Sequence, residues 1–371
     1  MRIALFTGNY NYVREGANQA LNRLVARGLE KGHAFRIYSP VTDTPAFDPV
    51  GDLVPVPSVP IPGRSEFRLA LGLPGRVRGD VRQFAPDIIH VSTPDILGTR
   101  AQTFAKRLGV PVVASLHTRF ETYFEHYGLG WARPLAEAHL RRFYRRSDHV
   151  LAPTPGIVEK LKQLRGDTRV SLWSRGVDRA LFSPDRRDLS WRRKQGWRDH
   201  DIVVLFFGRL VLEKGVRDYV AIVKRLLERG VAARPLVVGE GPARNVFDDL
   251  GDAVLTGHLD GSELARAVAS ADVLVHPSRT EAFGNVVLEA MASGLAIVSA
   301  DTDSSRQLIE QGRSGLLCSG TDPDAYVAEI MPLMADPRRR KELGDEARAA
   351  SSRFSWNAAS DSVLDAYRFL A

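Results

Sequence analysis

The chain has 371 residues, of which 44% are hydrophobic and 26% charged, and its formal net charge is +7. This length exceeds a single ordinary core and predicts two domains of similar size. The single cysteine, Cys318, excludes a disulfide framework and a cysteine zinc site, and no apolar run is long enough to span a bilayer. We therefore expect a cytoplasmic protein. Its arginine-rich surface favours phosphate-rich partners, namely nucleotides, nucleic acid or anionic lipid headgroups.

Strands and helices alternate through the first half of the chain. A strand is predicted over 3–6, in place of a signal peptide, and it is followed by a polar loop over 8–16 and a helix that ends near Lys31. Residues 42–62 are rich in proline and predict an extended, irregular excursion. The other strands of this half are predicted at 33–38, 87–91, 111–116 and 149–151, with later helices ending near Leu108 and Arg146. Alternation at this spacing indicates βαβ units and a parallel sheet.

The alternation restarts after a charged, irregular stretch at 178–200, which we interpret as the connection between two domains. Residues 202–207 predict the first strand of the second domain, and the chain is predicted to be helical from about residue 322 onward. Further strands are predicted at 236–238, 253–255, 273–275 and 296–298. The predicted fold class is α/β, with doubly wound domains at 1–177 and 178–353. Such a pair would hold a ligand in the cleft between the domains, at the carboxyl ends of the strands.

The stretch 276–294 combines a strand end, a loop and a helix around two carboxylates. Glu281 is predicted in the loop, and Glu289, eight residues further on, lies inside a helix marked by apolar residues at helical spacing. The start of that helix exposes unpaired N–H groups that suit a phosphate or sugar oxygen, and Gly284 lets the backbone approach such a ligand. The alternative is a surface helix with two solvated glutamates.

This stretch resembles the signature of the retaining glycosyltransferases of family 4. The signature is a pair of glutamates separated by seven residues, usually opened by Glu-Gly-Phe-Gly; Ala282 here replaces the first glycine, as in many lipid-glycosylating branches. Other family landmarks follow in order along nearly the whole chain: Gly32-His33, Phe207-Gly208-Arg209, Glu213-Lys214-Gly215, Gly239-Glu240-Gly241-Pro242 and Phe354-Ser355-Trp356. The resemblance implies the GT-B fold, which is two facing Rossmann-like domains with a C-terminal helix, here 354–371, that crosses back to the N-terminal domain.

The resemblance also implies roles for residues of the second domain. Arg209 and Lys214 match the family's diphosphate clamp, and fixed cations of this kind stabilise the charge on a leaving diphosphate. An ordinary surface pair at a helix start is the alternative for these two cations. Glu289 matches the glutamate that accepts hydrogen bonds from the ribose hydroxyls. The transferred sugar is expected to contact Glu281 and the backbone amides of Phe283, Gly284 and Asn285.

Two residues of the first domain complete the implied site. His117 ends a predicted strand and matches the family histidine that contacts the donor sugar near the reaction centre, although a lone histidine there is more often a satisfied polar residue. Gly16 matches the glycine of the loop after the first strand, which lets the backbone approach the diphosphate. The frequent paired glycine of this loop is here Glu15, and a frequent arginine is Gln19, so the chain departs from the family at these positions.

Several other chemistries are disfavoured. A retaining hydrolase needs two carboxyl groups about 5–5.5 Å apart, whereas eight residues of helix separate backbones by roughly 12 Å. Asp301 and Asp303 look like a metal-binding Asp-x-Asp pair but match a family loop that usually carries glycines, so we predict no metal. Gly239-Glu240-Gly241 lacks the third glycine of a dinucleotide fingerprint, because position 244 is Arg244, and no Gly-Lys dipeptide marks a P-loop. We therefore expect no cofactor.

Taken together, the residues and the resemblance predict a metal-independent retaining glycosyltransferase. It would move a hexose from a UDP- or GDP-sugar by front-face substitution, with the leaving phosphate helping to deprotonate the acceptor. The segments 115–120 and 278–281 are closest to the branch of sulfoquinovosyl-diacylglycerol synthases and lipid mannosyltransferases, which implies a lipid or glycolipid acceptor. Two rivals are a non-catalytic nucleotide-sugar-binding subunit and an epimerase or phosphorylase on the same fold. The base, the sugar, the acceptor, protein partners and the oligomeric state stay open.

Two basic stretches of the first domain predict attachment to the inner face of an anionic membrane. The first, 63–84, carries Arg64, Arg68, Arg76, Arg78 and Arg82 among Phe67, Leu69, Leu71, Leu73 and Phe84. The second, 131–146, carries Arg133, Arg141, Arg142, Arg145 and Arg146 beside Trp131, Phe143 and Tyr144. Basic residues with interleaved aromatics suit the headgroup region. The alternatives are solvated helix faces, or nucleic acid, for which no fold motif is present.

Overall fold

The computed structural model describes residues 1–61, 64–117, 131 and 133–371. Predictions that fall on Pro62, Gly63, Thr118 to Phe120 and Ala132, and on the side chain of Arg64, lie outside the described residues. The chain divides into two compact units, which we call unit 1 (1–175 with 356–371) and unit 2 (176–355). The predicted boundaries at 177/178 and 353/354 lie two residues from these.

In the described part of unit 1, seven strands form a parallel sheet in the order β3-β2-β1-β6-β7-β8-β9, and β4 and β5 form an antiparallel hairpin. The strands are β1 (Arg2–Phe6), β2 (Ala34–Ser39), β3 (Asp52–Pro55), β4 (Ser58–Ile61), β5 (Arg64–Ala70), β6 (Ile88–Val91), β7 (Val112–Ser115), β8 (His149–Ala152) and β9 (Val170–Leu172). The helices are α1 (Gly16–Glu30), α2 (Gly75–Phe84), α3 (Ile96–Leu108), α4 (Arg133–Arg145) and α5 (Pro155–Arg165). The sheet is buried on both faces, as the continuous apolar runs of its inner strands require.

Unit 2 contains, within its residues 176–355, a six-stranded parallel sheet in the order β12-β11-β10-β13-β14-β15. Its strands are β10 (Ile202–Phe207), β11 (Ala233–Val238), β12 (Val254–Leu255), β13 (Val273–His276), β14 (Ala296–Ala300) and β15 (Leu316–Cys318). Its helices are α6 (Leu189–Lys194), α7 (Val216–Glu228), α8 (Gly261–Ala269), α9 (Asn285–Ala292), α10 (Asp303–Leu308), α11 (Pro323–Ala335) and α12 (Pro337–Ser351). Apolar clusters cover both faces of this sheet as well.

Both sheets have a topological switch point, where the strand order changes direction. In unit 1 this point lies between β1 and β6, and in unit 2 it lies between β10 and β13. Loops that leave the carboxyl ends of the two central strands diverge there and leave room for a ligand. The predicted site residues of unit 2 follow β10 and β13, so the topology brings them to one edge of the sheet.

The last helix, α13 (Trp356–Leu370), packs in unit 1, as the sequence predicts. Arg27 on α1 forms hydrogen bonds of 2.9 and 2.8 Å to the two carboxylate oxygens of Asp361. Val363, Leu364 and Tyr367 are buried in the same apolar cluster as β1 and α1. Phe354, which we expected to begin the crossing, belongs to unit 2, where its ring lies 5.9 Å from that of Phe283.

Two stretches predicted to be irregular are structured. The proline-rich residues 42–62 include β3 and β4, and β3 pairs with β2 at the edge of the sheet, where prolines are tolerated because one side of the strand needs no partner. The stretch 178–200 contains α6 and is anchored in unit 2. There the buried Arg192 binds Asp272 at 3.0 Å and the Ser270 carbonyl oxygen at 2.7 Å.

None of the helices in the described ranges is both long enough and apolar enough to cross a bilayer.

Candidate active site

Two loops at the switch point of unit 2 pack tightly against each other. The loop after β10 runs from Gly208 to a single turn of 3-10 helix at Leu212–Lys214, which ends at Gly215 with φ +74°. A Cβ atom at Gly215 would lie 3.0 Å from Pro277 of the loop after β13, so this close approach and the positive φ both favour glycine. The Thr280 hydroxyl also donates to the Glu213 carbonyl oxygen at 2.9 Å. These contacts hold the end of the first loop beside the start of the second.

The packing brings together two residues that the sequence assigned to different parts of the donor. Lys214 Nζ lies 2.6 Å from Glu281 Oε1, and the two side chains are only 28% and 14% exposed. His276, the last residue of β13, places Nε2 at 3.6 Å from the same carboxylate oxygen. The switch point therefore holds a partly buried lysine, glutamate and histidine together.

The charge states of these three groups follow from burial and from their contacts. Burial lowers the pKa of His276 to about 4, so its imidazole is neutral at pH 7. Burial alone would raise the pKa of Glu281, but the Lys214 charge and hydrogen bonds from Lys214 and Ser278 outweigh it, and the pKa is lowered. At neutral pH the group is a lysinium–carboxylate ion pair beside a neutral histidine.

Helix α9 carries the second predicted glutamate. Gly284, with φ +101°, precedes the helix, and the apolar residues Val287, Leu288, Ala290 and Met291 bury one of its faces. Glu289 is half-buried, and burial raises its pKa to about 8. The sequence analysis treated Glu289 as a carboxylate acceptor. In the free protein at pH 7 the side chain is mainly the neutral acid, so the predicted ribose contact through a carboxylate requires loss of that proton.

Two polar atoms near the start of α9 and the end of β13 are buried without a hydrogen-bond partner among the described residues. They are Oδ1 of Asn285 and Nε2 of His276. Buried polar atoms in folded proteins are nearly always paired, and an unpaired one marks a place where a further partner fits. Asn285 was predicted as part of the sugar site for its backbone amide. His276 was not predicted, and the His-Pro dipeptide that ends β13 is the only sequence signal for it.

Arg209 and the glycines of 239–241 lie in the same corner of unit 2. Arg209 is partly buried two residues beyond the end of β10. Gly239 and Gly241 follow β11, and Cβ atoms on them would lie 1.9 Å from the Gly208 carbonyl oxygen and 2.3 Å from that of Leu210. These glycines are therefore explained by close packing of two loops and not by a dinucleotide.

The Asp301 side chain forms an ion pair with an arginine. Arg306 donates to both of its carboxylate oxygens, at 2.6 and 2.7 Å, and this pairing lowers the pKa of Asp301. Asp303 begins helix α10. The contacts of Asp301 are those of a surface ion pair that closes the loop before α10.

In unit 1, His117 belongs to a chain of buried hydrogen bonds at the carboxyl edge of the sheet. Arg175 Nη2 lies 2.9 Å from His117 Nδ1, and His117 Nε2 lies 2.8 Å from Ser115 Oγ. The chain continues from Ser115 Oγ to His90 Nε2 at 2.7 Å and from His90 Nδ1 to the Tyr367 hydroxyl at 2.5 Å. Residues from β6, β7, the segment after β9 and α13 thus form one connected network.

The direction of this network follows from Arg175, which can only donate. Nδ1 of His117 must accept, so Nε2 carries the proton and donates to Ser115; the Ser115 hydroxyl then donates to His90 Nε2, and His90 Nδ1–H donates to the Tyr367 oxygen. Burial lowers the pKa of His90 to about 3 and, together with the Arg175 charge, holds that of His117 well below its usual value. Both rings are therefore neutral, with assigned tautomers.

This network sets a condition on the predicted contact between His117 and the donor sugar. Both ring nitrogens are engaged within unit 1, so a donor sugar that contacts either nitrogen must replace one of these bonds. Arg175 was missed by the sequence analysis. It is 3% exposed, and burial lowers the pKa of its guanidinium to about 9. The strand before it, β9, was not predicted either, so the place of Arg175 at the same edge of the sheet as His117 became apparent only in the structure.

Gly16, the remaining predicted donor contact, is the first residue of α1. The backbone N–H of Glu15 donates to Asn18 Oδ1 at 2.9 Å, and Asn9 donates to the Glu15 carboxylate at 3.2 Å. Asn18 thus caps the start of α1, and the Glu15 side chain ties that start to Asn9 of the preceding loop. Gly16 itself is exposed at the carboxyl end of β1, where a backbone contact with a ligand is possible.

The two units match two known domain families. Residues 14–181 match the family described as Glycosyltransferase Family 4, and residues 188–350 match the one described as Glycosyl transferases group 1. A GDP-mannose-dependent alpha-mannosyltransferase of Mycolicibacterium smegmatis is 33% identical over 99% of this chain and 97% of its own length. The chain belongs to glycosyltransferase family 4.

Other relatives lie in the branch that the sequence indicated. Sulfoquinovosyl transferase SQD2 of Arabidopsis thaliana is 32% identical over 82% of this chain, which spans 61% of that protein. Alpha-monoglucosyldiacylglycerol synthase of Acholeplasma laidlawii is 25% identical over 85% of this chain and 84% of its own length. The suspected family and branch are confirmed.

Solved structures show the same fold. A sucrose-phosphate synthase from Thermosynechococcus elongatus superposes with a TM-score of 0.78 at 18% identity, covering 100% of this chain and 98% of its own. The Anabaena protein HepE, solved in complex with UDP and glucose, superposes with a TM-score of 0.75 at 18% identity, with 98% of each chain covered. The predicted α/β fold with two Rossmann-like domains, GT-B, is confirmed.

Proposed function

We propose that this family 4 glycosyltransferase is a retaining enzyme that moves a hexosyl group from a UDP- or GDP-sugar to a membrane lipid or glycolipid. The observation that carries the proposal is the Lys214–Glu281 pair, held at 2.6 Å at the switch point of unit 2 beside Arg209 and the start of α9. A nucleotide sugar has two adjacent groups, a diphosphate and a sugar. The positive charge of such a pair can bind the diphosphate, and the negative charge can bind the sugar hydroxyls.

Lys214 would bind the diphosphate while keeping its contact with Glu281. An ammonium group has three donors, so one can remain on the carboxylate while others reach phosphate oxygens. Glu281 would orient the lysine and accept hydrogen bonds from sugar hydroxyls. Arg209 supplies a further positive charge, which matters most as negative charge accumulates on the leaving diphosphate in the transition state.

The proposed step needs no protein nucleophile. The bond between the anomeric carbon and the diphosphate oxygen breaks, and the acceptor oxygen forms a bond to the same face of that carbon. The acceptor proton passes to the departing diphosphate, so that atoms and charges balance. Glu289 would hold the ribose and His117 would contact the donor sugar, and the reaction would need neither a metal nor a cofactor.

The acceptor is proposed from the relatives and from charge. The Acholeplasma relative is by name an alpha-monoglucosyldiacylglycerol synthase, and the Mycolicibacterium relative is by name a GDP-mannose-dependent alpha-mannosyltransferase. Ten arginines in two stretches of unit 1, at 63–84 and 131–146, favour attachment to the anionic inner face of a membrane. We therefore propose a cytoplasmic, peripheral enzyme without a nucleic-acid partner.

The test is incubation of the purified protein with a panel of UDP- and GDP-sugars and a membrane lipid extract, with and without a chelator. We expect a glycolipid whose anomeric configuration, measured by NMR, equals that of the donor, formed equally well in the chelator. An inverted product would contradict retention. A free sugar phosphate would indicate a phosphorylase, an isomerised nucleotide sugar an epimerase, and binding without turnover a non-catalytic subunit.

A further inference from the structure

A cavity of about 330 Å³ lies in unit 1 between α3 and the segment that joins β5 to α2. Three arginines line it: Arg78 from α2, and Arg100 and Arg107 from α3. Residues 100, 103, 104 and 107 follow helical spacing and share one face of α3. Its apolar wall includes Leu71, Leu73, Pro74 and Phe104. We call this feature the arginine cavity; its size is at the lower end of the ~300–1,000 Å³ typical of small-molecule sites.

The positive charges of the arginine cavity lack acidic partners among the described residues. In the ranges that the structure describes, Arg78, Arg100 and Arg107 form no ion pair, whereas Arg36 of the same unit binds both Asp52 and Asp80. The Nε atom of Arg78 is also buried without a hydrogen-bond partner among these residues. Like charges that share a cavity repel, and a buried donor needs an acceptor. An anion with several oxygens would reduce the repulsion between the arginines and would accept a hydrogen bond from Arg78.

Exposed apolar residues border the arginine cavity. Leu71 lines it and is 63% exposed, and Ile96 at the start of α3 is 46% exposed. A Cβ atom on Gly72, another lining residue, would lie 3.9 Å from Ile96 Cγ2, which places Ile96 at the rim. A hydrated inorganic anion gains nothing from such a rim, whereas the alkyl part of a lipid does.

The two basic stretches flank the same helix. Arg82 of the first stretch lies over the Phe104 ring, with its guanidinium carbon 5.2 Å from the ring centroid. Arg146 of the second stretch donates to the Thr103 hydroxyl at 2.8 Å. The fold therefore gathers cations from residues far apart in sequence around the cavity on α3, which a solvated helix face would not require.

We propose that the arginine cavity binds the phosphate group of an anionic membrane phospholipid, with its alkyl part against Leu71 and Ile96. The proposal rests on the membrane attachment included in the proposed function and gives that attachment a defined site. This site lies in unit 1 and differs from the donor site at the switch point of unit 2.

The test compares two double substitutions that remove the same charge from unit 1. Arg78→Gln/Arg107→Gln alters the cavity, and Arg23→Gln/Lys31→Gln alters exposed cations on and just after α1. Each cation near an anionic surface contributes about a fivefold factor in partitioning, so the cavity variant should bind phosphatidylglycerol-containing vesicles about thirtyfold more weakly than wild type. The α1 variant should bind nearly as well as wild type. Circular dichroism checks that both variants are folded.

A second arm separates a lipid phosphate from free phosphate. Calorimetry with short-chain phosphatidylglycerol, below its micelle concentration, should show tighter binding than inorganic phosphate, and Leu71→Ser should remove most of that difference. Equal affinity for the two ligands would overturn the lipid assignment. Equal losses in both double variants, or wild-type binding that does not depend on anionic lipid, would overturn the cavity as a site.

The proposal can fail separately from the transferase function. Sugar transfer to a detergent-solubilised acceptor does not require vesicle binding, so it should be unchanged in Arg78→Gln/Arg107→Gln. Sugar transfer by a wild-type protein that does not bind phosphatidylglycerol vesicles would refute only the proposed lipid site. Vesicle binding without sugar transfer would refute only the proposed transferase function.

Discussion

The protonation state of Glu289 makes a quantitative prediction about nucleotide binding. Burial raises its pKa to about 8, so at pH 7 the free protein carries mainly the neutral acid. The proposed ribose contact favours the carboxylate, which accepts charge-assisted hydrogen bonds at both oxygens from a vicinal diol. Binding must therefore release the proton, and the affinity for a nucleoside diphosphate should rise as pH increases toward 8.

The magnitude follows from the pKa. Ionising a group one unit below its pKa costs about 1.4 kcal/mol, which is the penalty at pH 7. The ionised fraction is about 1% at pH 6 and about 50% at pH 8, so the Kd should fall about fiftyfold between these values. In Glu289→Gln, which is neutral throughout, this dependence should disappear. The terminal phosphate of the nucleotide also titrates near pH 6, but it affects both proteins alike.

Calorimetric titration with UDP and GDP at pH 6, 7 and 8 measures this effect. Repeating the titration in buffers of different ionisation enthalpy should show close to one proton released per nucleotide by wild type at pH 7, and correspondingly fewer by Glu289→Gln.

The raised pKa of Glu289 also affects stability. Between pH 4.5, the ordinary pKa of a glutamate, and about pH 8 the folded state binds more protons than the unfolded state, so the free energy of unfolding falls as pH rises through that window. Glu289→Gln should remove this fall, and superimposable pH profiles of the two proteins would refute the reasoning.

Three further predictions concern the other charged groups. Replacing Arg209 or Lys214 by alanine removes a hydrogen bond to a charged group, worth ~1.5–3 kcal/mol, and should lower both donor affinity and kcat; unchanged steady-state kinetics in both variants would contradict the clamp. Glu281→Ala should reduce turnover or alter sugar choice, but it should weaken free nucleoside diphosphate only modestly because Lys214 keeps its charge after losing its carboxylate partner; a calorimetric loss as large as that of the α9 glutamate variant would contradict this division. Arg175→Met should raise the pKa of His117 because a nearby positive charge is lost, whereas Arg175→Lys should keep it low; NMR titration of the imidazole decides, and equal pKa values in both variants would show that burial alone sets it.

The fold was predictable where strands are long and buried on both faces, as in β1 and β10. A continuous apolar run that lies between predicted helices indicates a buried strand of a parallel sheet. Prediction failed at several short strands, although the two-residue edge strand β12 was predicted within 253–255. Prolines within β3 and β4 mimic a loop, and β15 has only three residues, so pairing with a neighbour and not local preference decides their structure.

The candidate site was predictable as a set of residues but not as an arrangement. Lys214 and Glu281 are 67 residues apart, and no local pattern shows that two glycine-permitted loops bring them into contact. The tautomer of His117 depends on Arg175, which is 58 residues away. The neutral form of Glu289 depends on how much solvent reaches its side chain, and helical periodicity alone does not determine that.

The C-terminal helix has a role in unit 1 beyond covering the sheet. Its Tyr367 hydroxyl accepts from His90 Nδ1–H, the last donor in a chain whose first donor is Arg175. Without the Tyr367 hydroxyl, as in Tyr367→Phe, that buried N–H would lack a partner, at a cost of about 1–3 kcal/mol, and His90 could instead carry its proton on Nε2. Ser115 would then lose the acceptor for its own hydroxyl, although His117 would still donate to it. The direction of the network is thus set by Arg175, and Tyr367 supplies the acceptor at the other end. Helix α13, which follows unit 2 in the chain, therefore supplies unit 1 with a buried hydrogen-bond partner as well as apolar contacts.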